Sequence, residues 1–122
     1  MQDTNFTTMY ALKNKVQLIG NLGNAPEVKT LEDGKKMARF SMATNETYRD
    51  RAGRKETETT WHNIVVWGKV AEIAEKYLTK GKEVAIEGKL VNRTYNDKEG
   101  NKRYITEIVA NELLLIGEKE RA

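Results

Sequence analysis

The chain has 122 residues, of which 39% are hydrophobic and 32% charged, and its formal net charge is +3. This composition is typical of a single folded domain with a well-solvated surface, and it excludes an intrinsically disordered chain. The sequence has no cysteine, which excludes disulfides and thiol chemistry, and no apolar run approaches the roughly 18 residues of a membrane span.

The first elements are predicted from local composition. Residues 1–12 show no strong pattern and no secretory signal, and we expect a flexible arm there. Residues 15–22 are rich in β-branched and aliphatic side chains and predict a strand, which ends at the break before Pro26. A short continuation of this strand is predicted at 28–31.

Two long strands are predicted next. Asp33-Gly34 is a hairpin signal, because glycine accepts the positive φ that a tight turn needs. Residues 36–48 and 56–68 then have strand character, and the polar, basic segment 50–55 between them predicts an exposed loop. In the first of these strands Ala38, Phe40 and Met42 alternate onto one face.

The hydrophobic period changes after these strands. Between residues 70 and 78 apolar residues recur at three- and four-residue spacing, which predicts an amphipathic helix that Gly81 ends. Strands are predicted at 83–95, with Val84, Ile86 and Leu90 facing one way, and at 103–116, separated by a polar turn at 96–101. The predicted class is all-β with one helix.

The order of these elements points to one architecture. Five strands with a helix between the third and the fourth are the layout of the OB fold, a five-stranded, partly open Greek-key barrel. No internal repeat or low-complexity linker interrupts the pattern.

Catalytic and metal-binding signals are weak. The sequence has one histidine, His62, and lacks a nucleophile elbow and a glycine-rich phosphate loop. No ligand set for a metal and no cofactor motif can be recognised. A lone strand histidine is more often packed and hydrogen-bonded than catalytic, so we predict that the protein is not an enzyme.

Aromatic and basic residues are arranged in a way that suits unpaired nucleic acid. Trp61 and Trp67 are six residues apart in one predicted strand, so both point to the same face. Tyr48 and Tyr95 each adjoin a polar turn, and the basic excess is concentrated at 48–55 and 89–103. Bases can stack on aromatic rings and phosphates need cations.

The competing interpretation is that these aromatic residues fill a core. Phe40, Tyr77 and Tyr104 are assigned to the core or its margin on that ground. The face that carries Trp61 and Trp67 also carries the polar Asn63, which a fully buried face rarely has without a partner.

Several blocks of sequence, in order, resemble the bacterial single-stranded DNA-binding protein family. The resemblance runs from about residue 12 to 111. The matching blocks are Asn14-Lys15-Val16, Gly20-Asn21-Leu22-Gly23, Pro26-Glu27-Val28, residues 43–50, residues 60–69 (TWHNIVVWGK), residues 71–78, Lys80-Gly81 and residues 86–90 (IEGKL).

The resemblance implies a fold, a function and a set of contacts. Members of this family form OB folds, usually homotetramers, that bind and protect single-stranded DNA during replication, recombination and repair without sequence specificity. The stacking aromatics would be Tyr48, Trp61, Trp67 and Tyr95. The phosphate partners would be Lys15, Lys29, Arg49, Arg51, Lys69, Lys80, Arg93 and Arg103. His62 matches a family histidine at the subunit interface.

The resemblance also sets expectations for the domain limits. The OB-fold domain is expected at 13–116 and a short end at 117–122. Family members usually continue into a flexible linker and an acidic tip, whereas this sequence ends at Ala122, so it is either truncated or a short member without a tail. If the protein has no tail, we expect weaker recruitment of replication and repair proteins. A bacterial, cytoplasmic and nucleoid-associated location is expected, with no membrane partner.

Two alternatives remain open. A primosomal replication protein shares this fold, although the 60–69 block and the four aromatics favour the first assignment. An OB domain that binds RNA or an oligosaccharide is the other alternative. The basic loops disfavour a sugar, whereas RNA stays open because stacking barely distinguishes the two nucleic acids.

Overall fold

The computed structural model describes residues 12–117. In chain order the elements are β1 (Val16–Leu22), β2 (Glu27–Thr30), β3 (Lys36–Arg49), β4 (Lys55–Trp67), α1 (Gly68–Tyr77), β5 (Glu83–Asn96) and β6 (Lys102–Leu115). Each predicted element is confirmed, with bounds that agree within two residues. The arm expected at 1–12 and the end expected at 117–122 lie, apart from one residue each, outside the described residues.

The long strands close into a barrel. They follow one another in the order β1-β5-β6-β4-β3, and β3 pairs with β1 again at Asn21↔Ala43 and Leu22↔Met42. The short β2 pairs with β3 along the same edge, from Glu27↔Arg39 to Thr30↔Lys36. It therefore continues β1 beyond the break at Pro26, as predicted, and the OB fold is confirmed.

The core lies inside this barrel and is closed at one end by α1. Strand alternation sends every second side chain inward, and α1 packs on β3 and β4 through its buried Ala71 and Ala74. The buried cluster comprises Leu22, Ala38, Phe40, Met42, Ile64, Val66, Ala71, Ala74, Leu78, Val84, Ile86, Ile108 and Ala110. Within residues 12–117, no helix has the length and apolarity needed to cross a membrane.

The segment after α1 differs from the prediction. The helix ends at Tyr77, and the Leu78 N–H donates to the Ala74 carbonyl at 3.0 Å. Gly81 lies beyond this end, with φ 88°, and its N–H donates to the carbonyl of Leu22 at 2.8 Å. Gly81 therefore ties the connection between α1 and β5 to β1 and does not cap the helix.

Two β-ribbons extend beyond the barrel. Residues 44–60 of β3 and β4 form the first ribbon, and residues 89–106 of β5 and β6 form the second ribbon; none of these residues is buried. Each ribbon ends in a three-residue loop in which a glycine with φ 83°, Gly53 or Gly100, donates its N–H to the carbonyl of Asp50 or Asp97. Positive φ at this position is the geometry that such loops require.

A β-bulge lies where the second ribbon joins the barrel. Glu87 of β5 pairs with Glu112 of β6, whereas the next residue, Gly88, pairs with Ala110. Asn111 is therefore an extra, unpaired residue in β6. Extra residues of this kind bend a strand and increase its twist, which fits the point at which β5 and β6 leave the barrel.

Candidate nucleic-acid interface

The two tryptophans of β4 face away from the core. Trp61 pairs with Ala43 and Trp67 with Met37, whereas the alternate residues of β4, such as Ile64, point into the barrel. Trp61 is 60% exposed and Trp67 is 37% exposed. We call the outward side of β3, β4, β5 and β6 the outer face.

Trp61 is seated against the loop that follows β1. A Cβ atom built on Gly23 would lie 2.5 Å from Cζ3 and 2.9 Å from Cη2 of the indole, closer than real Cβ atoms come to other heavy atoms. The indole therefore occupies the space that a side chain at residue 23 would need. One edge of the ring is supported in this way while most of the side chain stays in contact with solvent.

Trp67 lies in a row of cations. Its ring has the Lys35 ammonium 5.6 Å from the centroid, which is within the range of a cation–π contact. Its cross-strand neighbour Met37 pairs in turn with Lys29 of β2, so Lys29 lies on the same face. Lys69 follows Trp67 by two residues at the start of α1.

The second ribbon adds Tyr95 to the outer face. Tyr95 pairs with Arg103 and is 48% exposed. Tyr95 lies on the same side of β5 as Lys89, because the two are an even number of residues apart, and Lys89 pairs with the outward residue Val109 of β6. Tyr95 therefore belongs to the same continuous side of the sheet as Trp61 and Trp67.

Tyr48 lies on the opposite side of the first ribbon. It is 51% exposed and pairs with Glu56, while Glu46 pairs with Glu58 on the same side. Arg49 pairs with Lys55, which lies on the same side of β4 as Trp61, so these two basic residues lie on the outer face. The structure thus brings three of the four predicted aromatics onto one face, and the fourth is surrounded by carboxylates.

The eight predicted phosphate partners fall into two groups. Lys15 contacts Glu87 at 2.9 Å, Arg103 contacts Asp97 at 2.9 Å, and Arg93 contacts Glu107. Arg49 donates to the carbonyl of Gly53 at 2.8 Å. Within residues 12–117 neither Arg49 nor the remaining four side chains have a carboxylate partner; these four are Lys29, Arg51, Lys69 and Lys80.

The paired cations lower the pKa of the carboxyl groups beside them. Hydrogen bonds from Gln17 and Lys15 hold the pKa of Glu87 below its ordinary value. Arg103 does the same for the pKa of Asp97, together with backbone N–H groups of the loop. Both carboxylates are therefore ionised at neutral pH, and each offsets the cation beside it.

A buried carboxylate on the outer face is not among the residues predicted from the sequence. Glu107 of β6 is 3% exposed and accepts hydrogen bonds from Arg39 of β3 and Arg93 of β5. The bond from Arg93 is the main reason that the pKa of Glu107 lies below its ordinary value. The same bond raises the pKa of the Arg93 guanidinium. No sequence signal identified this cluster, because its members are on three strands.

A shallow depression lies between the two tryptophans on the outer face. It has a volume of about 350 Å³, and Arg39, Ser41, Asn63 and Glu107 contribute to its lining. At its edge the side-chain Oδ1 of Asn24 accepts from the N–H of Ser41 at 3.0 Å and from its hydroxyl at 2.6 Å. These contacts fix the loop after β1 against β3.

His62 faces the opposite way from Trp61. It is half-buried, and its Nε2 lies 3.0 Å from the Thr44 hydroxyl. This is the packed and hydrogen-bonded environment expected for a lone strand histidine. Among residues 12–117 no three histidine, cysteine or carboxylate side chains are grouped so that they could hold a metal ion.

The fold and this face define a class of protein. A closed OB barrel with exposed aromatics and cations on its outward strands has the features of a nucleic-acid-binding OB domain. Comparison with known protein families identifies the particular family. The model of the Single-strand binding protein family matches residues 13–116, and the chain belongs to that family.

Individual relatives agree with this assignment. The chain is 46% identical over 108 residues to the single-stranded DNA-binding protein 1 of Xylella fastidiosa, a match that covers 88% of this chain and 79% of the relative. It is 45% identical to the protein of the same name from Chlorobaculum tepidum, with 88% and 67% covered. The solved complex of Plasmodium falciparum SSB with ssDNA superposes with a TM-score of 0.77 at 38% identity, covering 84% of this chain and 94% of that one.

Proposed function

We propose that this protein binds single-stranded DNA along its outer face and does so largely independently of sequence. The observation that carries the proposal is the exposure of Trp61 and Trp67 on the outward side of β4. Lys29 lies on the same face, in the cross-strand row that includes Trp67. Because every base has a π-face, aromatic platforms tolerate any sequence.

The mechanism combines stacking with charge. Bases stack on Trp61, Trp67 and Tyr95, while cations contact the phosphates and release counterions. Tyr48 would take part where the strand passes around the tip of the first ribbon. The cations without a carboxylate partner should carry most of the charge interaction, and Lys15 and Arg103 less, because their charge is already offset.

We also propose that the protein acts as a homotetramer. Ile19, Ala85 and Leu114 are cross-strand neighbours on the outward side of β1, β5 and β6, and we call them the apolar row. Ile19 is 60% exposed and Leu114 is 65% exposed. Contiguous exposed apolar residues of this kind are typical of protein–protein contacts, and closed symmetry would bury this surface in every copy. His62 is proposed as a further interface residue.

The biological role follows from the ligand. Unpaired DNA arises during replication, recombination and repair, and a protein that covers it prevents pairing and degradation. We propose that the protein acts by binding alone, without catalysis, in the cytoplasm at the nucleoid, where it would meet replication and repair proteins on the DNA.

The first experiment is a titration of the intrinsic tryptophan fluorescence with poly-dT. A duplex of equal length is the control, and poly-U is the RNA comparison. We expect strong quenching by poly-dT that weakens as salt rises, and little quenching by the duplex. Absence of quenching with every nucleic acid would contradict the proposal, and tighter binding of poly-U would redirect it to RNA.

A further inference from the structure

A carboxylate is buried on the outside of the barrel, where the core does not require it. Glu107 is 3% exposed, yet its position in the alternation of β6 places it on the outer face. It lines the depression between Trp61 and Trp67. A negative charge in the middle of a surface that binds phosphates calls for a physical explanation.

The explanation lies in the geometry of its two partners. Arg93 approaches the carboxylate side-on, with Nε 2.9 Å from Oε1 and Nη2 3.0 Å from Oε2. Arg39 reaches Oε2 from β3 with Nη1 at 3.0 Å. One carboxylate therefore holds two guanidinium groups from strands on either side of it, and the cluster keeps a net charge of +1.

Both arginines still have unused donors at the surface. Their side chains are each 39% exposed, and a guanidinium has five N–H groups, of which Glu107 takes two from Arg93 and one from Arg39. Planar, multidentate guanidinium donors match phosphate oxygens well. Arg39 also pairs with Val65, which lies between the two tryptophans on β4, four residues after Trp61 and two before Trp67.

We propose that Arg39 and Arg93 form a phosphate subsite between Trp61 and Trp67, and that Glu107 is the positioning residue that holds both guanidinium groups in place. The inference rests on the proposed function and adds one binding residue, Arg39, and one positioning residue to it. Fixing long side chains before binding lowers the entropy that binding would otherwise lose.

This proposal predicts an effect opposite in sign to simple charge counting. Replacing Glu107 with glutamine removes a negative charge from the DNA-binding face, and charge alone would make DNA bind more tightly. If Glu107 positions the arginines, the loss of the charged anchor weakens binding instead. The two effects separate best at about 0.15 M salt, where interactions between exposed charges more than roughly 8 Å apart are largely screened.

The matched control is Glu27→Gln. Glu27 pairs with Arg39 in the strand register and carries the same charge change on the same face, but it makes no ion pair with Arg39. We expect Glu107→Gln to weaken poly-dT binding about fivefold or more, because two arginine side chains become mobile. Glu27→Gln should bind as tightly as the wild type or more tightly. If Glu107→Gln binds as tightly as Glu27→Gln, the positioning role is wrong.

A second measurement does not depend on the stability of the Glu107 variant. Arg39→Gln and Arg93→Gln should each lower the slope of log K against log salt by about one, as expected for the loss of one phosphate contact. A role confined to folding would change the melting temperature and leave this slope unchanged. Unchanged slopes in both variants would overturn the subsite while wild-type binding of poly-dT, and with it the proposed function, still stood.

Discussion

Gly23 and Trp61 share a contact that leaves no room for a β-carbon. The Cβ of an alanine at residue 23 would lie 2.5 Å from Cζ3 of the indole, so the ring would have to move. Gly23 does not have a positive φ, and alanine is therefore tolerated by the backbone itself. The glycine is required by the positions of the tryptophan ring and of the Ser41 hydroxyl, whose Oγ the same Cβ would approach to 2.7 Å.

Gly23→Ala should accordingly weaken DNA binding without unfolding the protein. We expect a loss of up to about 1–3 kcal/mol in poly-dT binding, the value of one stacked base, together with a shift in tryptophan emission. The same substitution made in Trp61→Ala should weaken binding less than it does in the wild type, because the contact with the ring is already absent and only the approach to Ser41 Oγ remains. Additive losses in the double variant would contradict this link.

Trp61→Ala and Trp67→Ala should each weaken poly-dT binding by about 1–3 kcal/mol. Both side chains face away from the core, so the melting temperature should change little. Tyr77→Ala is the control, since Tyr77 is an exposed aromatic of α1, 49% exposed, with Lys76 5.4 Å from its ring centroid. Cooperative unfolding of either tryptophan variant would instead assign that residue to packing.

The two groups of cations should differ in their salt dependence. Lys29→Gln should lower the slope of log K against log salt by about one, because Lys29 has no carboxylate partner in the described part of the chain. Lys15→Gln should leave the slope almost unchanged, since Lys15 is already paired with Glu87 at 2.9 Å. Equal slopes for the two variants would show that the ion pair opens when DNA binds.

Self-association should depend on the apolar row. Ile19→Asp introduces a charge at the β1 end of the apolar row, beside Ala85, and should shift the assembly toward smaller species in light scattering or sedimentation. Ile73→Asp is the matched control, because Ile73 is an exposed isoleucine of α1. An unchanged molar mass for Ile19→Asp would exclude this surface as the subunit contact.

Glu107 should make a pH-dependent contribution to stability. Its pKa is lower in the folded protein than its ordinary value of 4.5, chiefly because of the hydrogen bond from Arg93. A carboxyl group of this kind stabilises the fold fully above the unfolded pKa, and the contribution is lost as the pH falls through the lowered folded value. We expect wild type to exceed Glu107→Gln by roughly 1–3 kcal/mol in free energy of unfolding near pH 7.

This difference should disappear in acid. Urea unfolding of both variants between about pH 7 and pH 3 would measure it, with Glu27→Gln as a control that shows no such gap. A gap that failed to narrow as the pH fell below 4.5 would mean that Glu107 acts through its shape and not through its charge.

The order and bounds of the elements were predictable from local patterns, but the point at which the long strands leave the barrel was not. Phe40 is 4% exposed, as predicted, whereas Tyr104 is 74% exposed and its assignment to the core or margin is wrong. Tyr77 is half exposed. Leu90 follows the alternation of Val84 and Ile86, yet it is 48% exposed because the second ribbon has already left the barrel there. Strand periodicity gives the face of a residue, but not what covers that face.

The candidate site was predictable only where one strand carries it. Trp61 and Trp67 lie on β4, and their spacing alone indicated a common face. Glu107 is separated from Arg39 by 68 residues and from Arg93 by 14, so its ion pairs depend on which strands become neighbours. Arg39 was not among the predicted phosphate partners for the same reason. The acidic surroundings of Tyr48 likewise follow from register and not from adjacency in sequence.

The alternation of side chains in the two ribbons restricts how the length of each ribbon can change. Adding one residue to each strand of a ribbon would turn every side chain beyond the insertion to the opposite side, because the alternation has a period of two. In the first ribbon such a change would exchange Tyr48 and its glutamates with Arg49 and Lys55. Lengthening that keeps both sides intact must therefore add residues in pairs, two to each strand, so that each ribbon grows or shrinks in steps of four residues.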